Sequence, residues 1–177
     1  SAASDVYKRQ VEALLYEAGV TDRLGKVADG NTVSDYTADE TRRKCSVYTS
    51  LSCYEKDGFK VNLLDTPGLL DYEQAMVEGI SACGCAMITV SGKSGVKVGT
   101  HKAYKYAKKM KKPAMFVVTK LDDENANFNN VLTQLKTEFG PTVCPVVVPV
   151  IADRQIVSYV NLIEMKAYRY ENGKAVE

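Results

Sequence analysis

The chain has 177 residues, enough for one domain with a core of its own. Its 23 basic and 22 acidic side chains leave a net charge of +1, so no global field argues for nucleic acid or a membrane surface. The longest apolar runs, such as CPVVVPVI, are far too short to span a bilayer, and no apolar stretch with a small-residue cleavage site reads as a secretory signal.

The first ten residues, SAASDVYKRQ, show neither a helical apolar stripe nor strand alternation. Asp5 to Gln10 can be back-translated as GAT GTG TAT AAG AGA CAG, which resembles the transposon end used in sequencing-library adapters. Ser1–Gln10 is therefore expected to be a translated scar or a disordered terminus, outside the fold. From Val11 the pattern changes. Val11, Leu14, Leu15 and Ala18 share one helical face, and Gly19 is placed to end that helix. Residues 29–44, DGNTVSDYTADETRRK, are polar and aperiodic and predict a long loop with a helical turn at most. Alternation over 46–54 predicts a half-exposed strand, Asp57-Gly58 a hairpin turn, and 59–65 the returning antiparallel strand.

Tyr72, Ala75, Met76 and Ile80 predict a helix over 72–82, followed by a buried strand at 85–90. Ala103, Tyr106, Ala107 and Met110 predict a helix over 100–111, with Lys102, Lys105, Lys108 and Lys109 on its other side. A strand at 114–119 precedes the cleanest helical stripe, Phe128, Val131, Leu132, Leu135 and Phe139. Residues 144–151 read as a further strand crowded by Pro145 and Pro149, and the tail as a closing hairpin. This alternation predicts an α/β fold, a doubly wound, mostly parallel sheet covered by helices. Its ligands would sit beyond the carboxyl ends of the strands, where Asp65, Ser91 and Thr119 to Asp122 fall.

The five cysteines, Cys45, Cys53, Cys83, Cys85 and Cys144, lack framework spacing and fit reduced thiols in a cytosolic protein. Cys83-Gly-Cys85 has no second pair to complete a metal site, and His101 is the sole histidine.

Three stretches could carry chemistry. In VNLLDTPGLL, a carboxylate at Asp65 ends an apolar strand and Gly68 leaves its N–H open to a phosphate. The bland alternative is a strand end before a Pro-Gly turn. In FVVTKLD, Asp122 could accept two hydrogen bonds from the ring N–H and exocyclic amine of guanine, with Lys120 lying along the base. Here the alternative is a helix start capped by Asp. Ser46, after Arg42, Arg43 and Lys44, could offer a hydroxyl to magnesium, or could simply begin a strand.

Together with ALLYEAGVTDRLGKVADGNTVSDY, SGVKVGT and LIEMKAYRYENGKAVE, these stretches resemble the GTPase domain of elongation factor G, from Val11 to the end. The resemblance implies a P-loop-type fold and GTP hydrolysis during translation, with GTP and Mg2+ as ligands. Its partners would be the ribosome and GTP or GDP, with no membrane, in a monomeric cytoplasmic protein. GTP-binding residues would be Asp65, Thr66, Pro67, Gly68, Thr119, Lys120, Leu121 and Asp122, and the metal ligands Ser46 and Asp65. Residues 11–152 would be a partial GTPase domain and 153–177 the start of an inserted subdomain. The lysine face of 100–111 would contact the ribosome or merely be solvated.

Three departures stand out. No G-x-x-x-x-G-K-[ST] precedes Val11, so the phosphate loop and the central strand that leads into it are expected to be missing. Leu69 stands where many members have a histidine that positions the attacking water, and is not expected to perform that role. Thr119 replaces the Asn of N-K-x-D. Two rival readings share these residues: a nucleotide-free scaffold with a degenerate GTPase fold, and a relative that protects or recycles ribosomes.

Overall fold

The computed structural model describes residues 2–26, 29–43, 46–68, 70–152, 155–171 and 174–177. They form α1 (Ala2–Glu17), α2 (Ala38–Arg43), β1 (Ser50–Lys56), β2 (Phe59–Asp65), α3 (Glu73–Ala82), β3 (Ala86–Ser91), α4 (Val98–Lys109), β4 (Ala114–Thr119) and α5 (Phe128–Phe139). Four strands follow: β5 (Val147–Ala152), β6 (Gln155–Asn161), β7 (Lys166–Glu171) and β8 (Lys174–Val176). Among the described residues, no helix is long and apolar enough to cross a membrane.

The chain divides into two compact units, residues 1–89 with 98–117 and residues 90–97 with 118–177. In the first, Leu15 of α1 is buried, and Ile80, Ala86 and Ala107 pack together with Met76, Tyr106 and Met110 around them. These are the apolar faces that helical spacing picks out. Gly19, at φ +70°, lets the chain turn after α1, and the Val20 N–H returns to Leu15 O at 2.9 Å.

The α1 helix begins nine residues before Val11, so residues 2–10, expected to lie outside the fold, are helical. Lys8 and Glu12 are buried alongside Val11 and Leu15. The buried stripe is thus half charged, and a search for apolar spacing does not register it.

β1 and β2 form the expected hairpin, with Asp57 (φ 52°) and Gly58 (φ 79°) both left-handed at the turn. β1 starts four residues later than the alternation suggests. The Val47 and Tyr48 N–H groups donate to the Glu40 carboxylate at 2.9 and 3.1 Å instead of joining a ladder. The polar loop of 29–44 is also more ordered than expected. Thr37 and Glu40 form a capping box at the start of α2, with the Glu40 N–H donating to Thr37 Oγ1 (3.3 Å) and the Thr37 N–H to Glu40 Oε2 (3.2 Å).

β3 pairs with β4 alone among the described strands. The Ala86 N–H bonds Pro113 O (2.8 Å) and the Gly92 N–H bonds Thr119 O (2.6 Å), the same offset at both ends, so the pair is parallel. The connection through α4 is long enough to permit this.

In the second unit, Phe128, Val131 and Leu135 of α5 are buried, as their spacing predicts. β5 through β8 form a four-stranded antiparallel meander. The α/β class stands, but the mostly parallel sheet is represented by β3 and β4 alone among the described strands. β5 pairs antiparallel with β6, Ala152 opposite Gln155.

Candidate functional site

The sequence-predicted residues fall into two groups, one in each unit. In the first unit, Asp65 closes β2 opposite Ser50 and is only 8% exposed. One of its oxygens, Oδ2, has no hydrogen-bond partner among the described residues. Burial pushes this carboxyl up to about 6; the Lys8 ammonium pulls the other way, and Asp35 adds to the rise.

Lys8 Nζ lies 2.5 Å from Asp35 Oδ2, both side chains almost wholly buried, and Thr32 Oγ1 donates to the same oxygen at 3.2 Å. One buried cation therefore faces two buried carboxylates, and Asp65 is the excess charge. Glu40 is buried too, yet satisfied. Burial alone would raise its carboxyl, but the N–H groups of Val47, Tyr48 and Thr37 and the Thr37 hydroxyl hold it below its usual range.

Ser46, the other candidate magnesium ligand, is buried as well. After Asp65, Thr66 and Gly68 are half-buried and Pro67 is buried. A Cβ on Gly79 would meet Thr66 Cγ2 at 2.5 Å, so α3 packs closely on this loop. Leu69 and Cys45 lie outside the described residues. Asp65 to Gly68 also border a cavity of 360 Å³ between β2 and β3. No three His, Cys, Asp or Glu side chains among the described residues are arranged to hold a metal.

In the second unit, Thr119 to Asp122 leave the end of β4. Thr119 Oγ1 donates to Val90 O at 3.4 Å. Lys120 sits at φ 54°, a left-handed backbone that few residues with a side chain adopt, and there the chain breaks out of the strand. Gly92 permits the break: a Cβ there would lie 2.7 Å from Leu121 Cδ2 and 3.1 Å from Thr119 O.

Asp122 is exposed and does not cap α5. That role belongs to Asn127, whose side chain accepts the Asn130 N–H at 2.9 Å. The neighbouring Asp123 is the engaged carboxylate. The Asn125 N–H (3.0 Å) and Lys93 (3.2 Å) hold it below its usual range. Asp122 keeps both oxygens free of protein partners among the described residues.

Spacing thus finds Asp65 and Asp122 but misses their surroundings. Lys8 and Asp35 are 27 residues apart and share no local pattern. Glu40 was legible, since T-A-D-E is a capping-box sequence.

The family model for the elongation factor Tu GTP binding domain matches residues 10–176. An elongation factor G-like protein of Thermotoga maritima is 35% identical over 164 residues, 93% of this chain and 23% of that protein. Elongation factor G of Granulibacter bethesdensis is 29% identical over 163 residues, 92% of this chain and 24% of that protein. The chain thus spans under a quarter of the length of these two relatives. A crystal structure from Thermus thermophilus superposes with a TM-score of 0.92 at 34% identity, over 99% of this chain and 26% of that one. The chain belongs to the elongation factor Tu GTP binding domain family, with elongation factor G and elongation factor G-like proteins among its relatives.

Proposed function

We propose that this chain is part of the GTPase domain of a translational GTPase of the elongation factor G kind. The whole protein binds GTP with Mg2+, hydrolyses the terminal phosphate, and couples hydrolysis to a switch on the ribosome that advances the transfer RNA–messenger pair. In this reading residues 11–152 are GTPase domain and 153–177 begin an inserted subdomain. The domain's central strand and phosphate loop would run ahead of α1.

One observation carries the reading: the two carboxylates that the family would use on nucleotide each hold an oxygen without a hydrogen-bond partner among the described residues. Asp65 Oδ2 is buried without a partner beside the paired Lys8 and Asp35. Asp122 is open beside the engaged Asp123. A buried anionic oxygen is a hard donor suited to magnesium, and Ser46 would supply a hydroxyl. Bound magnesium would neutralise charge on the phosphates. Asp122 would accept from the guanine ring N–H and exocyclic amine, and the Lys120 stem would cover the base. Adenine offers neither donor there, so selection on the order of 10⁴-fold is within reach of such a contact.

The test is Asp122→Asn in the whole protein. Xanthine carries a carbonyl where guanine carries the amine, so the amide should reverse the preference. GTP affinity should fall by about 10³-fold or more while xanthosine triphosphate binds. Unchanged GTP affinity in the variant, or equal binding of ATP and GTP by the parent, would sink the reading.

A further inference from the structure

Charge is balanced over the chain, with 23 basic and 22 acidic side chains, but not along it. Nine lysines and no aspartate or glutamate lie between Glu78 and Asp122. Six of the nine belong to α4 and the turn after it. Two of these six serve the fold: Lys102 donates to Glu73 on α3, and Lys112 donates to Cys83 O at 2.7 Å. The other four, Lys105, Lys108, Lys109 and Lys111, are exposed, with no hydrogen bond or ion pair among the described residues. α3 packs against α4 and has no spare acid to give them. Glu73 accepts from Lys102 and Tyr106, and Glu78 accepts from Gln74.

The helix gains little from these charges. Lys105 lies three residues before Lys108 and four before Lys109, so like charges share one face, which weakens a helix. The helix dipole favours Lys108 and Lys109 in the last turn, but not Lys105.

The rest of the face narrows the partner. The exposed positions of α4 after Val98 are His101, Lys105, Lys108 and Lys109, so it offers no apolar anchor to a membrane or to a protein. Lysine is a point charge that suits phosphate, and it lacks the fork with which arginine grips carboxylates. The rings that could stack on unpaired bases are engaged. Tyr104 stacks on Phe116 at 5.7 Å, and Tyr106 donates to Glu73 Oε1 at 2.7 Å. What fits is a run of phosphates bound without reading its bases.

We propose that Lys105, Lys108, Lys109 and Lys111 form a docking face for the phosphate backbone of helical RNA. The choice of RNA over DNA rests on the translational reading above. The face itself rests on charge and exposure, not on the nucleotide site.

The probe is a labelled RNA hairpin, titrated into the whole protein across a series of KCl concentrations. Lys105→Gln, Lys108→Gln and Lys109→Gln should each reduce the steepness of log affinity against log salt by about 1. The triple variant should bind at least about tenfold more weakly at low salt. Lys105→Arg, Lys108→Arg and Lys109→Arg together should keep the affinity. Lys60→Gln, at an exposed position of β2 opposite Glu55, should change it little. Glutamine is a good helix former, so circular dichroism and the thermal midpoint should hold, which separates lost docking from lost folding. Four results would overturn the proposal: an unchanged salt dependence in the triple variant, an equal effect from Lys60→Gln, tighter binding of a DNA hairpin of the same sequence, or displacement of the RNA by polyglutamate of equal charge. The last would make an acidic protein the partner. The Asp122→Asn experiment reads nucleotide preference alone, so the two readings can fail separately.

Discussion

Asp65→Asn should make this chain more stable at neutral pH, although it removes the residue most tied to function. Around Asp65 the buried Lys8 is the one cation against the carboxylates of Asp35, Glu40 and Asp65 itself, and Lys8 is committed to Asp35 at 2.5 Å. The cost of the uncompensated charge appears as a carboxyl pushed from 3.8 to about 6. At 1.36 kcal/mol per pKa unit, that shift corresponds to a penalty of about 3 kcal/mol. The sign follows from proton binding. The folded state takes up its proton at higher pH than the unfolded state, so the penalty is fully present above the folded value. It fades as pH falls from about 6 to about 4. Asparagine fills the same volume and carries no charge. Urea unfolding of parent and variant should therefore differ by up to about 3 kcal/mol in the variant's favour near neutral pH and by almost nothing near pH 4. Glu40, whose carboxyl is held low, contributes the opposite pH dependence, but equally in both proteins, so it cancels from the difference. A gain of equal size at every pH would refute the assignment to ionised Asp65, and a loss at neutral pH would refute the excess-charge argument itself.

Lys8→Met should destabilise the chain by about 3–5 kcal/mol in urea unfolding, because it leaves two buried carboxylates without a cation. Adding Asp65→Asn should restore part of that loss, and strict additivity of the two changes would show that they do not interact. Glu40→Ala removes the α2 capping box and the acceptor for the Val47 and Tyr48 amides. It should cost about 2–4 kcal/mol and speed hydrogen exchange at those two amides before the rest of β1. Leu69→His in the whole protein should raise single-turnover GTP hydrolysis, since leucine cannot bond to the attacking water; an unchanged rate would mean that another group orients it.

The parts of this fold that were legible in the sequence are those whose packing is apolar and local. Ala107 in α4 and Val131 and Leu135 in α5 are buried where helical spacing puts them, and β4 spans 114–119 as expected. Where polar groups organise the chain, apolar spacing fails. The first half of α1 buries Lys8, β1 starts late because Glu40 takes two amides from the chain before it, and β5 turns back into a hairpin whose partner strand an apolar run cannot name. The site divides in the same way. Asp65 and Asp122 are legible because strand-end loops carry fixed spacings. The Lys8–Asp35 pair is not, because nothing local links residues 27 apart.

The two kinds of residue also differ energetically. Glu40 and Asp123, which spacing did not single out, have their hydrogen bonds filled and their carboxyls held low. Asp65 lacks a partner for one oxygen and is held high, while Asp122 has no protein partner among the described residues. Glu40 and Asp123 are satisfied by the fold, whereas Asp35 is only half so, its Oδ2 on Lys8 and its Oδ1 without a partner among the described residues. A carboxylate that awaits a ligand must be left short, and a buried one lowers stability until the ligand arrives. If so, Asp65→Asn in the whole protein should raise thermal stability without nucleotide and narrow the gain in stability that GTP and magnesium confer on the parent. An equal ligand-induced gain in both proteins would mean that the missing partner of Asp65 is not part of the nucleotide site.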